Sequence, residues 1–453
     1  MSGAGERRPY WNMEMEMKQN TPEMREIQWS KVVRKIEYLY NRTPFWKSWL
    51  DAAGVKPDDI RTWDDFHKRI PIYKKEDYRA LAESCGGDLN SILHELLGDD
   101  ADRLSLLAAT SGTTGEPSPY PFIPEDRPVW AEFEGRQFWR AEVYPGDKMI
   151  HGFGLSMFMG GASMCMAVSD YGACCVPVGA EAGTEAILKW ARLLKPKALV
   201  GTPSLMEYLI QKAPSLTGES VRALGIKSLL CGGEAGAGIP EVRRKIEEAF
   251  GARLYDVAFG GCSCDYPEYQ GLHYPGEDLV MFELVDPETH EHIPLENGAR
   301  GLMVQTQLDG GIAMAALRQS PNDITEVYTD QCPCGKTGIR FKIVGRNDDM
   351  LKVKGVMVYP AAIEGVINSF VPAIPGEFRI ILDEPPPRVV PPLKLKVEHA
   401  AGATEEQLRA LKKEIEDAMH NKTKIRPEVV WVAPNSLERF LKKKNLFEKK
   451  YAK

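Results

Sequence analysis

The stretch IKSLLCGGEAGAGIPEVRRKIEEAF, residues 226–250, constrains the fold more than any other part of the chain. Its apolar start suits a buried strand, and its glycine-rich loop (232–238) frees backbone N–H groups for close approach. Beyond the loop, Pro240 suits a first helical turn, Glu241 suits the positive helix end, and Val242, Ile246 and Phe250 recur on one face. A strand that runs through glycines into a helix is one unit of an α/β layer. The same alternation recurs in ALVGTPSLMEYLI (198–210), so from about residue 104 the pattern predicts helices packed on a largely parallel sheet.

The chain has 453 residues, 43% of them hydrophobic, which predicts two or three domains with a large buried core. Its 57 basic against 64 acidic side chains give a formal charge of -7, so the attraction that draws proteins to nucleic acid is missing. Nine cysteines in so long a chain are no disulfide framework, and residues 1–19 are polar, so a cytoplasmic protein with reduced thiols is expected. The uncharged stretch 149–169 has the length of a membrane span. It carries His151, Ser156 and Ser163 among several glycines, and reads instead as a buried strand and helix, with no membrane partner.

Residues 22–80 read as a helical lead, with Ile27, Val32, Val33, Ile36 and Tyr40 at three- and four-residue steps. The character changes near 345–360, after which come an apolar run (378–382), a proline-rich stretch, an alternating strand LKLKVEH, a helix and a strand EVVWV. Thr404 with Gln407 three residues later marks that helix start, and Leu408, Leu411, Ile415 and Met419 form its apolar face. The expected fold class is therefore α/β: a large N-terminal α/β domain with a helical lead (1–345), and a small, mobile C-terminal α+β domain (346–453).

The sharpest local signal is TSGTTGEPSPY (110–120), directly after the apolar run LSLLAA. Gly112 and Gly115 let N–H groups converge on an oxyanion while Thr110, Ser111, Thr113 and Thr114 add hydroxyl donors, a composition suited to phosphate. It is not a Walker loop, because no GK[ST] ending follows. This motif, with GTPSLMEYL, CGGEAGAG, LYDVAFG, GLHY, VDPETHEHIP, NDIT, CPCGKTG and GRNDDMLKVKGVMVYPAAIE in order and spacing, resembles the adenylate-forming enzymes, within them the phenylacetate-CoA ligase branch.

The resemblance implies an ATP-dependent ligase in which a carboxylate attacks the α-phosphate of ATP and CoA thiol then displaces AMP from the acyl adenylate. ATP, CoA and a carboxylic acid, aromatic or arylacetic as in phenylacetate, are the implied small-molecule partners. Two anions meet in the first step, so donors, cations and Mg²⁺ on the leaving pyrophosphate are needed. Gly232, Gly233, Glu234 and Ala235 match the adenine-binding loop, Asp256 the residue that reads the adenine edge, and Asp323 the aspartate that takes both ribose hydroxyls. Arg346 matches an arginine on ribose or phosphate, and Asp348 the hinge about which the C-terminal domain turns between half-reactions. NSLERFLKKKNLF (435–447) matches the segment of the catalytic lysine and points to Lys443, with Lys442 and Lys444 as neighbouring candidates because Lys442 replaces the usual glycine.

Two positions depart from the family. AFGGC (258–262) replaces the aromatic-glycine-x-x-glutamate motif, which leaves Phe259 to stack on adenine, and Glu116 and Ser118 stand where the wider superfamily has a phosphate-loop lysine. Cys262, Cys264, His273, Cys332 and Cys334 offer ligands for a tetrahedral zinc site. A similar arrangement in members of the branch implies a structural Zn²⁺ on Cys264, His273, Cys332 and Cys334, with Cys262 as substitute. Cys85, Cys165, Cys174, Cys175 and Cys231 read as small core residues. HGFGLSMFMGGAS (151–163) corresponds to the segment lining the acid pocket, where Phe153, Met157 and Phe158 would clasp a ring. Transfer to a carrier protein or amine, and a nucleotide-binding pseudoenzyme, are the competing readings, and a homodimer is left open.

Overall fold

The structure is a computed structural model that describes residues 8–109, 118–309, 316–439 and 446–451. The helical lead is divided into separate helices by its own capping residues. Thr21 accepts from Met24 N ahead of helix Pro22–Arg42, and Thr62 and Asp65 form a reciprocal capping box ahead of helix Trp63–Arg69. The lead buries Val32, Ile36, Leu39, Trp46 and Phe66 against Met281 of the main sheet and Leu308 and Leu317 of the connection after its strand 300–307.

Strands β1 (Leu106–Ala109) and β2 (Pro119–Phe122) pair antiparallel, with Ala109 opposite Pro119. The parallel part of the main sheet follows: β3 (Lys148–His151), β4 (Cys174–Val176), β5 (Ala198–Gly201), β6 (Ser228–Cys231) and β7 (Arg253–Ala258). Alternate residues of these strands face opposite helical layers. Ile150, Leu199, Leu229 and Leu254 pack under helices Pro203–Thr217 and Pro240–Phe250, while Met149, Val200, Leu230 and Tyr255 meet Phe138 and Val168 of helices Asp126–Arg140 and Ala162–Tyr171. The uncharged stretch thus holds a strand and a helix, and among the described residues no helix is long and apolar enough to cross a membrane.

The expectation of a largely parallel sheet needs correction. Beyond β7 the sheet continues antiparallel through β8 (Gly261–Ser263), β9 (Leu272–His273), β10 (Val280–Val285), β11 (His292–Ile293), β12 (Arg300–Gln307), β13 (Asp323–Tyr328) and β14 (Arg340–Arg346). Among the described residues its twelve strands run in the order β11-β10-β12-β13-β14-β9-β8-β7-β6-β5-β3-β4. Among the described residues the connections between these later strands contain no crossover helix, and without one neighbouring strands pair antiparallel. A second correction concerns Cys174, which is exposed because β4 is the edge strand, with Cys85, Cys165 and Cys175 only partly buried.

The C-terminal domain has its own apolar core. Strands β15 (Leu351–Val353), β16 (Val356–Val358), β17 (Phe378–Leu382), β18 (Arg388–Val389), β19 (Lys394–Glu398), β20 (Glu428–Val432) and β21 (Phe447–Lys449) form a three-stranded and a four-stranded sheet. Ile363 and Ile367 of helix Pro360–Asn368 and Ile415 and Met419 of helix Glu405–Thr423 close on them, and the Thr404 and Gln407 capping box forms as read. Two domains, a large mixed α/β unit and a smaller α+β unit, are thus present.

Candidate active site

The carboxyl ends of the parallel strands position the nucleotide-type residues, as in open α/β sheets generally. The loop leaving β6 passes so close to β7 that a Cβ on Gly232 would lie 2.3 Å from the Val257 carbonyl oxygen. Gly233 faces the Phe153 ring, and Glu234 accepts a 2.8 Å hydrogen bond from Ser204 N in the first turn of helix Pro203–Thr217. That carboxylate sits at the positive helix end. Ala235 is exposed beside it. Asp256 on β7 is half-buried, and its Oδ2 accepts a 2.6 Å bond from the Tyr269 hydroxyl. Burial pushes its carboxyl up to about 6, against the pull of Tyr269 and Arg243.

Asp323 opens β13 and Arg346 ends β14, and antiparallel pairing sets them directly opposite. Asp323 is buried, with Arg346 Nη1 3.8 Å from its Oδ2. The same guanidinium donates to both oxygens of Asp348, at 2.8 and 2.9 Å. The residues expected at ribose, phosphate and hinge therefore share one ion-pair network, which raises Arg346 and lowers Asp348 relative to their ordinary ranges despite partial burial.

In the segment expected to line the acid pocket, Phe153 is buried and meets Phe158 edge to face at 6.3 Å. His151 Nε2–H donates to the Gly160 carbonyl at 2.7 Å, which pins the loop that carries Phe158. Ala109 bridges to Phe158 and donates to the Met157 carbonyl, so this loop lies beside the end of β1. Met157 contributes through its main chain, since its side chain is 52% exposed. Phe259 packs against the cluster of Phe133, Tyr274 and Phe341, with its backbone left-handed at φ 50°. Thr110, Ser111, Gly112, Thr113, Thr114 and Gly115, and Lys442, Lys443 and Lys444, lie outside the described residues. The segment entering the lysine run is anchored: Leu437 N donates to Glu398 at 2.6 Å, and Arg439 grips both oxygens of that carboxylate.

Cys264, His273, Cys332 and Cys334 converge, with their ligand atoms all within 4.8 Å of one another. The Cys264 and Cys332 sulfurs stand 3.9 Å apart, and Cys334 Sγ lies 3.4 Å from His273 Nε2. These spacings are far too long for a disulfide, whereas a tetrahedral zinc sets two thiolates about 3.8 Å apart and thiolate and imidazole about 3.6 Å apart. His273 Nδ1–H donates to the Thr337 carbonyl at 3.1 Å, which leaves Nε2 as the ligand atom. Hydrogen bonds from Cys334 and His273 hold the Cys264 thiol well below the usual range against its burial. The donor set fits zinc. Cys262 faces the opposite side of β8 and packs with Phe138 and Val257. A second group, His67, Glu283 and His292, is also close, but its imidazoles stack face to face at 3.7 Å and Arg318 Nη2 stands 3.3 Å from Glu283. A cation there would meet neither ring edge-on, so the group reads as a stacked pair beside an ion pair.

Tyr269 and Arg243 were not among the residues expected, because neither belongs to a motif. Residues 355–450 match the family model for the AMP-binding enzyme C-terminal domain. The chain is also 30% identical to a phenylacetate-coenzyme A ligase of Thermus thermophilus over 367 residues, 79% of this chain and 78% of that one. The chain belongs to the AMP-binding superfamily of acyl-CoA ligases. Among solved structures, a 2-hydroxyisobutyryl-CoA ligase in its postadenylation state with R3-HIB-AMP superposes on the ligase with a TM-score of 0.88 at 25% identity, covering 100% of this chain and 94% of that one. The same 2-hydroxyisobutyryl-CoA ligase in its thioesterification state gives 0.68 at 26% identity, over 97% and 92% of the two chains. The ligase is thus an acid-CoA ligase of the AMP-forming type that works through an acyl adenylate.

Proposed function

We propose that the ligase activates an aromatic or arylacetic acid, such as phenylacetate, and transfers it to CoA. The observation that carries the choice of acid is the edge-to-face pair Phe153 and Phe158, seated between Gly233 of the adenine loop and the end of β1. Aromatic walls favour a planar ring, and the curated relative is a phenylacetate-coenzyme A ligase. In this reading Thr110, Ser111, Gly112, Thr113, Thr114 and Gly115 hold the phosphates, and the loop Gly232, Gly233, Glu234 and Ala235 holds adenine beside Asp256. Asp323 accepts from both ribose hydroxyls, Arg346 supports the ribose or phosphate, and Lys443 neutralises charge where carboxylate meets α-phosphate. Mg²⁺ would supply charge neutralisation on the leaving pyrophosphate. The C-terminal domain, taken as 346–453, turns about Asp348 to present CoA after adenylation, and zinc on Cys264, His273, Cys332 and Cys334 serves structure rather than chemistry.

The test is pyrophosphate release across aryl, arylacetic, aliphatic and hydroxy acids, each with and without CoA. Turnover with an aromatic acid that yields the thioester only when CoA is present is expected. A preference for a small hydroxy acid would overturn the aromatic reading and favour the substrate of the 2-hydroxyisobutyryl-CoA relative. Adenylation with no response to CoA would favour a carrier protein or amine as acceptor.

A further inference from the structure

Under the adenine loop lies a small polar cluster in which Tyr269 and Arg243, outside the family motifs, meet Asp256. Tyr269 comes from the connection between β8 and β9, and its hydroxyl donates to Asp256 Oδ2 at 2.6 Å. Its ring is seated on the last glycine of the loop: a Cβ on Gly238 would lie 2.9 Å from Tyr269 Cζ and 3.0 Å from Cε1, so a larger residue there would have to displace the ring. Lys342 of β14 stands 5.7 Å from the ring centroid. Arg243, on the helix that follows the loop, is 4% exposed; its Nη2 stands 3.6 Å from Glu247, and among the described residues its Nε and Nη1 have no hydrogen-bond partner. Its charge acts on the Asp256 carboxylate. Asp256 itself is fixed at the backbone, where its N–H donates to Ser263 Oγ at 2.9 Å.

A carboxylate that meets a purine edge is a sensor of hydrogen-bond polarity. It accepts from the exocyclic amino group of adenine and repels the 6-oxo group of hypoxanthine or guanine. That discrimination requires the carboxylate to stay charged and to keep one orientation, since a carboxyl that takes up a proton can donate to a 6-oxo group instead. We propose that Tyr269 is the positioning residue for base selection: its hydroxyl occupies Oδ2 of Asp256 and fixes Oδ1 as the acceptor for the adenine amino group, with Arg243 holding the carboxylate charged. The proposal rests on the adenine-reading role of Asp256 given above. The ring seated on the loop is Tyr269, while Phe259 of AFGGC packs into the Phe133 cluster.

Equilibrium titration of the full-length protein with ATP and with ITP tests this without knowledge of the acid. Wild type is expected to prefer ATP, and Tyr269→Phe to lower that preference roughly tenfold, the value of a hydrogen bond to a charged group. Asp256→Asn, whose amide can turn its donor to a 6-oxo group, should lower it at least as far. A Tyr269→Phe protein that keeps the full preference while Asp256→Asn loses it would overturn the role of Tyr269. If Asp256→Asn also keeps it, the adenine-reading role of Asp256 fails and the proposal with it. Should Tyr269→Phe not fold, the wild-type pH profile decides. The groups facing Asp256 are Tyr269, Arg243, Cys231 and Cys262, and burial sets its carboxyl near 6. ATP affinity should therefore fall, and the ATP over ITP ratio shrink, below about pH 6, and a ratio flat across that range would overturn the proposal.

Discussion

Gly260 sits in the AFGGC segment where the structure leaves least room, and replacing it with alanine should destabilise the N-terminal domain sharply. Its φ is +81°, and a Cβ there would lie 2.0 Å from Phe133 Cζ and 2.7 and 2.8 Å from Cε2 and Cε1. The ring cannot retreat, because Gly276 approaches it from another side with a Cβ position 2.5 Å from Cε2. It is also held by Trp130, stacked at 5.8 Å. A left-handed alanine costs about 1–2 kcal/mol and overpacking a full core about 1–3 kcal/mol, so about 2–5 kcal/mol together. At about 2.1 cal/mol/K of unfolding entropy per residue, a domain of this size should lose about 3–7 °C in Tm. Gly146 provides the control: its φ is +90° with nothing within 4 Å, so Gly146→Ala carries the conformational cost alone. Thermal melts of both variants, and of Gly260→Ala in a Phe133→Ala background, separate the two parts. The Phe133→Ala background should relieve most of the overpacking. Gly260→Ala melting with Gly146→Ala, or no relief in the double variant, would refute the argument.

Asp323→Ala should weaken ATP binding by at least roughly tenfold, since it removes a charged acceptor for two hydroxyls, and unchanged affinity in a titration would remove its ribose role. Lys443→Ala should abolish adenylation yet spare thioester formation from supplied acyl adenylate; the same phenotype in Lys442→Ala instead would move the register by one. Metal analysis should find about one zinc per chain, lost in Cys334→Ser, and protein that binds none would return the four side chains to plain packing. Glu134, Glu277 and Asp256 are pushed up by burial to about 8, 7 and 6. Raised carboxyls stabilise the fold below their ordinary range and lose that contribution as pH rises through the folded values, so Tm should decline between about pH 4 and 8. Glu134→Gln, which keeps its bond from Gln137, should flatten the upper end, and an unchanged slope there would sink the assignment.

Local signals in the sequence carried through wherever the chain decides its own geometry. Thr404 and Gln407 cap a helix as read, and Val242, Ile246 and Phe250 are all buried on one face. The antiparallel half of the sheet was hidden because β10 and β12 are covered on both faces, Met281 by the helical lead and Phe282, Leu284 and Met303 by the Phe133 cluster. Strands covered twice lose the alternation that marks an antiparallel hairpin. Asp323 and Arg346 stood out only through motif order, and their opposition across β13 and β14 shows why order mattered: register makes them neighbours. Tyr269 left no sequence trace, because its contact with Asp256 depends on the path of a loop whose ends are set by side chains far along the chain.

Those ends are Cys264 and His273, which flank Tyr269 and meet Cys332 and Cys334 from the turn between β13 and β14. Were zinc bound there and adenine read by Asp256 as proposed, metal and nucleotide would act on the same short loop, the metal at its ends and the nucleotide through Tyr269. Their binding free energies are then coupled, and coupling is reciprocal: the factor by which zinc tightens ATP is the factor by which ATP tightens zinc. An ion with no part in the chemistry would in this way help set how strongly the ligase competes for ATP, and at equilibrium a chelator would strip more of it from enzyme that has no nucleotide.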